Sequence, residues 1–111
     1  MEIEMIKYVK VLMMASALFL LLLQPAWALD GKKLYTTKFC ITCHGKLGIA
    51  VAPNYPNLAG QNPEYIKNQV KDILTEKRKT KLSRLMTANP VVMKITDEEI
   101  AAIADYISKI K

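Results

Sequence analysis

The 111-residue chain reads as an all-α protein. Three observations predict that. Apolar residues recur at three- and four-residue spacing near the C-terminus, as Ile100, Ile103, Ile107 and Ile110. Helix-start signatures stand at Asn62-Pro63 and at Thr96, the latter with Glu99 three residues on. No stretch alternates apolar and polar residues as a half-buried strand does.

The first segment is not fold material. Residues 11–23, VLMMASALFLLLL, carry no charge; Lys7 and Lys10 precede them and Pro-Ala-Trp-Ala follows. That order is the n-region, h-region and A-x-A site of a secretory signal. Residues 1–28 are therefore expected to be a signal peptide cut after Ala28, and residues 29–111 the folded domain. The uncharged run continues to Leu29, so a retained membrane anchor is the alternative, although a bilayer needs about 20 apolar residues. A start at Met5 would remove Glu2 and Glu4 and leave the more ordinary MIKYVK.

Three main helices with irregular connections follow. The first opens at Asp30 as N-cap and carries Leu34, Tyr35 and Phe39. Continued through Cys40-Ile41-Thr42-Cys43, it places the two cysteines at i and i+3 on one face. Residues 45–60, GKLGIAVAPNYPNLAG, are a loop whose apolar members Leu47, Ile49, Val51, Tyr55 and Leu58 are expected to pack on something. The second helix starts with Asn62 as N-cap, Pro63 at the first position and Glu64 complementing the dipole. Its stripe is Ile66, Val70, Ile73 and Leu74, and residues 76–81, EKRKTK, end it. The third opens on the Thr96–Glu99 capping box with acids at 97–99.

The formal net charge is +6, and all of it belongs to residues 29–111, because Glu2 and Glu4 offset Lys7 and Lys10. A domain this small buries roughly 60–65% of its unfolded surface and is marginal alone. A disulfide, metal or cofactor usually makes up the difference.

Cys40, Cys43 and His44 are the only cysteines and histidine of the chain, and all lie in FCITCHGK. Structural zinc usually takes four Cys or His ligands, one more than the chain has. A thioredoxin-like pair needs a βαβ setting that the helical pattern lacks. A plain disulfide would close a tiny loop and leave His44 unused. A c-type haem uses all three residues: two thioether links through Cys40 and Cys43, and His44 under the iron. With one histidine, the far side of the iron falls to a methionine, a soft ligand that raises the potential. Met86 in RLMTANP lies in a stretch without helical periodicity that can cross the far face. Met93 stands three residues before the cap Thr96, where it can serve as an apolar contact for the last helix. Met86 is favoured, with Met93 as the alternative; Lys or water remains open.

GKKLY with CITCHG, PNYPNLAGQNPEYI and ITDEEIAAIADYI together resemble the class I c-type cytochromes. The likeness is to small monohaem bacterial cytochromes c and to single domains of di-haem ones, over about residues 30–110. The resemblance implies a cytochrome c fold wrapped around one covalent haem c. In it Gly31 allows the first and last helices close approach, Tyr35 meets Tyr106, and the Pro56 carbonyl accepts from His44. A basic residue about eight positions before the ligand methionine matches Arg78 and Met86. The family's shorter gap between that methionine and the last helix keeps Met93 in play.

The expected function is an exported, periplasmic one-electron carrier between respiratory-type redox partners, not an enzyme. The alternative is a dedicated electron-transfer subunit of a periplasmic dehydrogenase or oxidase. A haem sensor with an open sixth site and a haem-free thiol redox protein are more distant readings. The lysines at 32, 33, 38 and 46 and the run 77–81 suit partners with acidic docking surfaces or an anionic membrane surface. Nucleic acid does not fit an exported chain without aromatic residues interleaved among its basic ones.

Overall fold

The computed structural model describes residues 1–22 and 28–111. Among the described residues there are seven helices and no strand. They are α1 (Glu2–Leu22), α2 (Gly31–Thr37), α3 (Cys40–His44), α4 (Pro63–Leu74), α5 (Ser83–Thr87), α6 (Pro90–Met93) and α7 (Asp97–Ser108). The expected three main helices correspond to α2, α4 and α7; α3, α5 and α6 are single short turns that sequence periodicity cannot register.

Every residue of α1 from Glu2 to Leu20 is exposed. Among the described residues no helix is long and apolar enough to cross a membrane. Ala26 of the expected cleavage motif lies outside the described residues.

The caps hold as the sequence implies. Asp30 accepts from the Lys33 amide, and Asn62 from the Tyr65 amide with Pro63 in the first turn. Thr96 and Glu99 close a reciprocal capping box. Each such cap is worth about 1 kcal/mol. α7 is the central element, packed against both α2 and α4. The core there is Tyr35, Ile66, Ile103, Ala104 and Ile107. Burying each isoleucine contributes about 1.5–3 kcal/mol.

Two small residues permit the α2–α7 contact. A Cβ on Gly31 would collide with the Ala102 carbonyl oxygen and come within 2.9 Å of Tyr106 Cβ. Ala104 is completely buried. The Tyr35 and Tyr106 rings meet beside it, 5.6 Å between centroids and tilted by 56°. Both pairings are those the family resemblance implies.

One expected helix is broken. The continuous helix from Asp30 through Cys43 stops at Lys38, and Phe39 takes a left-handed conformation, φ 64° and ψ 16°. Thr36 and Thr37 weaken the helix at that point, since β-branched side chains lose freedom there. The Tyr35 hydroxyl donates to the Gly45 carbonyl at 2.7 Å, so the chain must turn back on α2. Cys40 and Cys43 still share one short helix at i and i+3.

The loop 45–60 is tied at several points. Gly48 O accepts from the amides of Leu58 and Ala59, and the Gly60 amide donates to Ile107 O on α7. Asn57 Oδ1 takes the Ala50 amide at 2.7 Å. Leu58 and Tyr55 are half-buried as expected, but Leu47, Ile49 and Val51 are not. They are 63%, 59% and 62% exposed, so the chain itself does not supply the surface they were expected to pack on. The loop's hydrogen bonds fix its backbone and aim these side chains outward.

Candidate haem site

Between α3, the loop and helices α4 to α7 lies a cavity of about 670 Å³. Small-molecule and cofactor pockets typically run from about 300 to 1,000 Å³. Its walls are mainly aliphatic, with Ile66, Val70 and Ile73 from α4, Val92 from α6, and Ile100 and Ile103 from α7. Cys40, Cys43 and His44 form one part of the lining, and Pro56, Arg78 and Met86 others.

His44 is buried, and its Nδ1 stands 3.0 Å from the Pro56 carbonyl oxygen. A carbonyl only accepts, so Nδ1 carries the hydrogen, and in the neutral tautomer this selects, Nε2 is the free acceptor. Such a bond fixes the ring's orientation and raises the basicity of the other nitrogen. Gly45, next in the chain, has φ 78°, and a Cβ there would collide with the Ile49 carbonyl. A side chain at this position would push the loop away from His44.

Cys40 and Cys43 are not joined to each other by a disulfide. Burial pushes the Cys40 thiol up to about 11, so it is protonated at neutral pH. Among the described residues no three His, Cys, Asp or Glu side chains converge as a metal cluster requires.

The two methionines separate. Met86 sits in α5, half-buried, on the cavity wall. Met93 ends α6, is 44% exposed, and does not line the cavity. The sequence expectation of a loop around Met86 is corrected to a short helix. It starts in a reciprocal pair in which the Thr80 amide donates to Ser83 Oγ at 2.7 Å and the Ser83 amide to Thr80 Oγ1 at 3.0 Å. Asn89 Oδ1 then accepts from the Val91 amide at 2.9 Å and restarts the chain as α6. These two devices set where Met86 stands. Neither was singled out in the sequence, though Thr-Lys-Leu-Ser and Asn-Pro are the signals that carry them.

Arg78 also reaches the cavity. Its Nη1 donates to Gln69 Oε1 on α4 at 3.0 Å, and its amide donates to Asp72 O at 2.8 Å. The Tyr35–Gly45 bond is a further supporting contact that periodicity could not reveal. Burial, with the neighbouring Cys40 and Tyr106, pushes the Tyr35 phenol up to about 12.

The residues fit a covalently held, apolar, iron-bearing disc: two thiols at i and i+3, a histidine with its outer nitrogen already bonded, and an aliphatic chamber. An all-helical domain with this site defines a c-type cytochrome domain. Residues 28–111 match the cytochrome c family model, and the chain belongs to the cytochrome c family. It is 42% identical to cytochrome c-554(548) of Halomonas halodenitrificans over 69 residues, 62% of this chain and 81% of that protein. It is 39% identical to cytochrome c4 of Thiocapsa roseopersicina over 67 residues, 60% of this chain and 32% of that one. A thiosulfate dehydrogenase electron acceptor of Stutzerimonas stutzeri is 33% identical over 71 residues, 64% of this chain and 32% of that protein. The chain thus spans about a third of the length of the latter two relatives. Its cofactor is one covalently bound haem c, in keeping with the Cys40–Cys43 pair, and the domain is an electron-transfer module. Family members carry electrons and catalyse no bond chemistry themselves.

Proposed function

We propose that this chain is an exported electron-transfer module dedicated to a dehydrogenase or oxidase, and that Cys40, Cys43, His44, Pro56 and Met86 form its haem centre. Haem, when bound, supplies an iron that gains and returns one electron. The chain's residues do the rest. Cys40 and Cys43 would tether the cofactor through thioether links. His44 would offer Nε2 to the iron, with Pro56 O holding the imidazole in the required tautomer. Met86, on the cavity wall, would offer its thioether as the second protein ligand. The aliphatic walls exclude water, which favours the less charged reduced state.

The observation that carries this reading is the His44 Nδ1–Pro56 O contact of 3.0 Å at the wall of a cavity that Met86 lines and Met93 does not. The test is the visible spectrum of the oxidised protein. Fe(III)–thioether bonding gives a weak far-red band. Met86→Ala should abolish it and Met93→Ala should leave it. The reverse result would transfer the ligand role to Met93.

The dedicated role draws support from the relatives named as electron acceptors of thiosulfate dehydrogenase. A stable complex with one enzyme, whose turnover reduces this chain stoichiometrically, is the expected result. Equal reduction by unrelated respiratory donors would instead favour a general carrier. Export follows from Lys7, Lys10 and the apolar run after them. The mass of the mature protein tests cleavage after Ala28 against retention as an anchor.

A further inference from the structure

Among the described residues five have positive φ, and three of these, Gly45, Gly48 and Gly60, are glycines. The other two are Glu76, which is exposed, and Phe39. Phe39 takes φ 64° and ψ 16° between α2 and α3. The left-handed region suits glycine or asparagine, and a bulky side chain there is an outlier. The Tyr35–Gly45 bond explains why the backbone turns at this point. It does not explain why the turn carries a phenyl ring. A strained position that keeps an unfavourable residue points to a use for the side chain.

The surroundings of the ring say what that use is. Phe39 lines the large cavity, yet it is 51% exposed. A residue that is both wall and surface stands at the rim. Phe39 is not among the residues packed in the core of α2, α4 and α7, so that core does not account for it. Cys40, next in the chain, and Cys43 line the same cavity. The backbone of Phe39 is held on both sides: its amide donates to Thr36 O at 3.1 Å, and its carbonyl accepts from the Thr42 amide at 3.1 Å. The ring therefore hangs from a fixed point beside the two cysteines.

Building on the proposed haem centre, we infer that Phe39 is an apolar shield at the cysteine end of the cavity, and that it raises the reduction potential by keeping water from the cofactor. The oxidised iron carries one more positive charge than the reduced iron. Water stabilises charge, so excluding it favours the reduced form. The same cover hinders the approach of small oxidants and reductants. One electron moves in such an exchange; no bond forms or breaks, and no proton moves. Glycine at this position would relieve the backbone and remove the cover together.

The haem-loaded protein tests this with Phe39→Gly and Phe39→Leu. Spectroelectrochemical titration reads the potential. Stopped-flow oxidation of the reduced protein by tris(phenanthroline)cobalt(III), which takes up one electron, reads access. Phe39→Gly should lower the potential and be oxidised several-fold faster, with the far-red band kept. Phe39→Leu keeps an apolar cover on the same strained backbone, and both values should stay close to wild type. Phe39→Gly with the wild-type potential and oxidation rate overturns the shield and leaves the haem centre standing. A fall in potential that comes with loss of the far-red band also overturns it, since changed ligation then accounts for the fall. So does Phe39→Leu shifting as far as Phe39→Gly. Wild type whose haem is released by acid and acetone overturns the covalent haem centre, and the shield with it. If Phe39→Gly does not load haem, Phe39→Asn, polar and tolerant of the left-handed turn, decides by the same readouts.

Discussion

At the scale of single residues, the fold turns on atoms that are absent or buried. Gly31 has no side chain, and α2 approaches the Ala102 carbonyl through that gap. Gly31→Ala must push α2 off α7, and overpacking of this kind costs about 1–3 kcal/mol. Urea denaturation should show a lower midpoint at unchanged spectrum. Tyr35 is 1% exposed, and its hydroxyl is spent on Gly45 O at 2.7 Å. Its phenol lies near 12 in the folded state against 10.0 ordinarily. A folded-state value raised above the unfolded one means the unfolded chain loses its proton first as pH rises. The stability Tyr35 supplies is therefore complete below pH 10 and drains away between about pH 10 and 12. Over that window the wild type should lose about 2 kcal/mol more than Tyr35→Phe. Comparing the two in urea melts at each pH cancels the lysines and other tyrosines, which titrate in both. Equal pH dependence would show that the phenol titrates as though exposed.

At the scale of elements, the helix starts were legible and the short turns were not. Asn62, Pro63, Thr96 and Glu99 act within three or four residues of themselves, so their spacing alone reveals α4 and α7. Thr96→Ala should destabilise the protein by about 1 kcal/mol, and the loss should appear as a lower urea midpoint. Phe39 shows the opposite case. Its left-handed bend answers to the Tyr35–Gly45 bond, a contact across ten residues that no local pattern encodes. The same holds for α5 and α6, single turns set by Thr80–Ser83 and Asn89. In the site, Cys40, Cys43 and His44 were readable because they are adjacent and their chemistry needs all three. The sequence favoured Met86 over Met93 only weakly, because both precede the last helix, and their burial and place relative to the cavity distinguish them. Leu47, Ile49 and Val51 are exposed for a related reason. Apolar character implies burial only when the chain itself supplies the cover.

At the scale of the molecule, charge and apolar volume are distributed unevenly, and each asymmetry has a use. Four of the acids sit in or beside the first turns and outer face of α7, as Asp97, Glu98, Glu99 and Asp105, while residues 31–63 have none. Three acids of α7 take lysine partners, Lys71–Asp97 at 3.0 Å, Lys38–Glu99 at 3.1 Å and Lys109–Asp105 at 2.7 Å. Lys71–Asp97 and Lys109–Asp105 are exposed and contribute little to stability, and only Lys38–Glu99 is half-buried, so holding the fold together falls mainly to the core and the haem chamber. The core of α2, α4 and α7 is small, and Ile66, Ile103 and Ile107 each face both that core and the chamber. In the cofactor-free chain the cleft of about 670 Å³ would leave its aliphatic walls facing water. A whole domain of this kind is stable by only about 5–15 kcal/mol. Loss of that burial is expected to make the cofactor-free chain collapse or unfold. Cys40→Ala/Cys43→Ala, made so that no thioether forms, should lack a cooperative urea transition and show weak near-ultraviolet dichroism. Adding free haem should restore part of both, because the proposed ligands His44 and Met86 remain. A cooperative, haem-free transition as steep as that of the loaded protein would show that α2, α4 and α7 hold together on their own contacts.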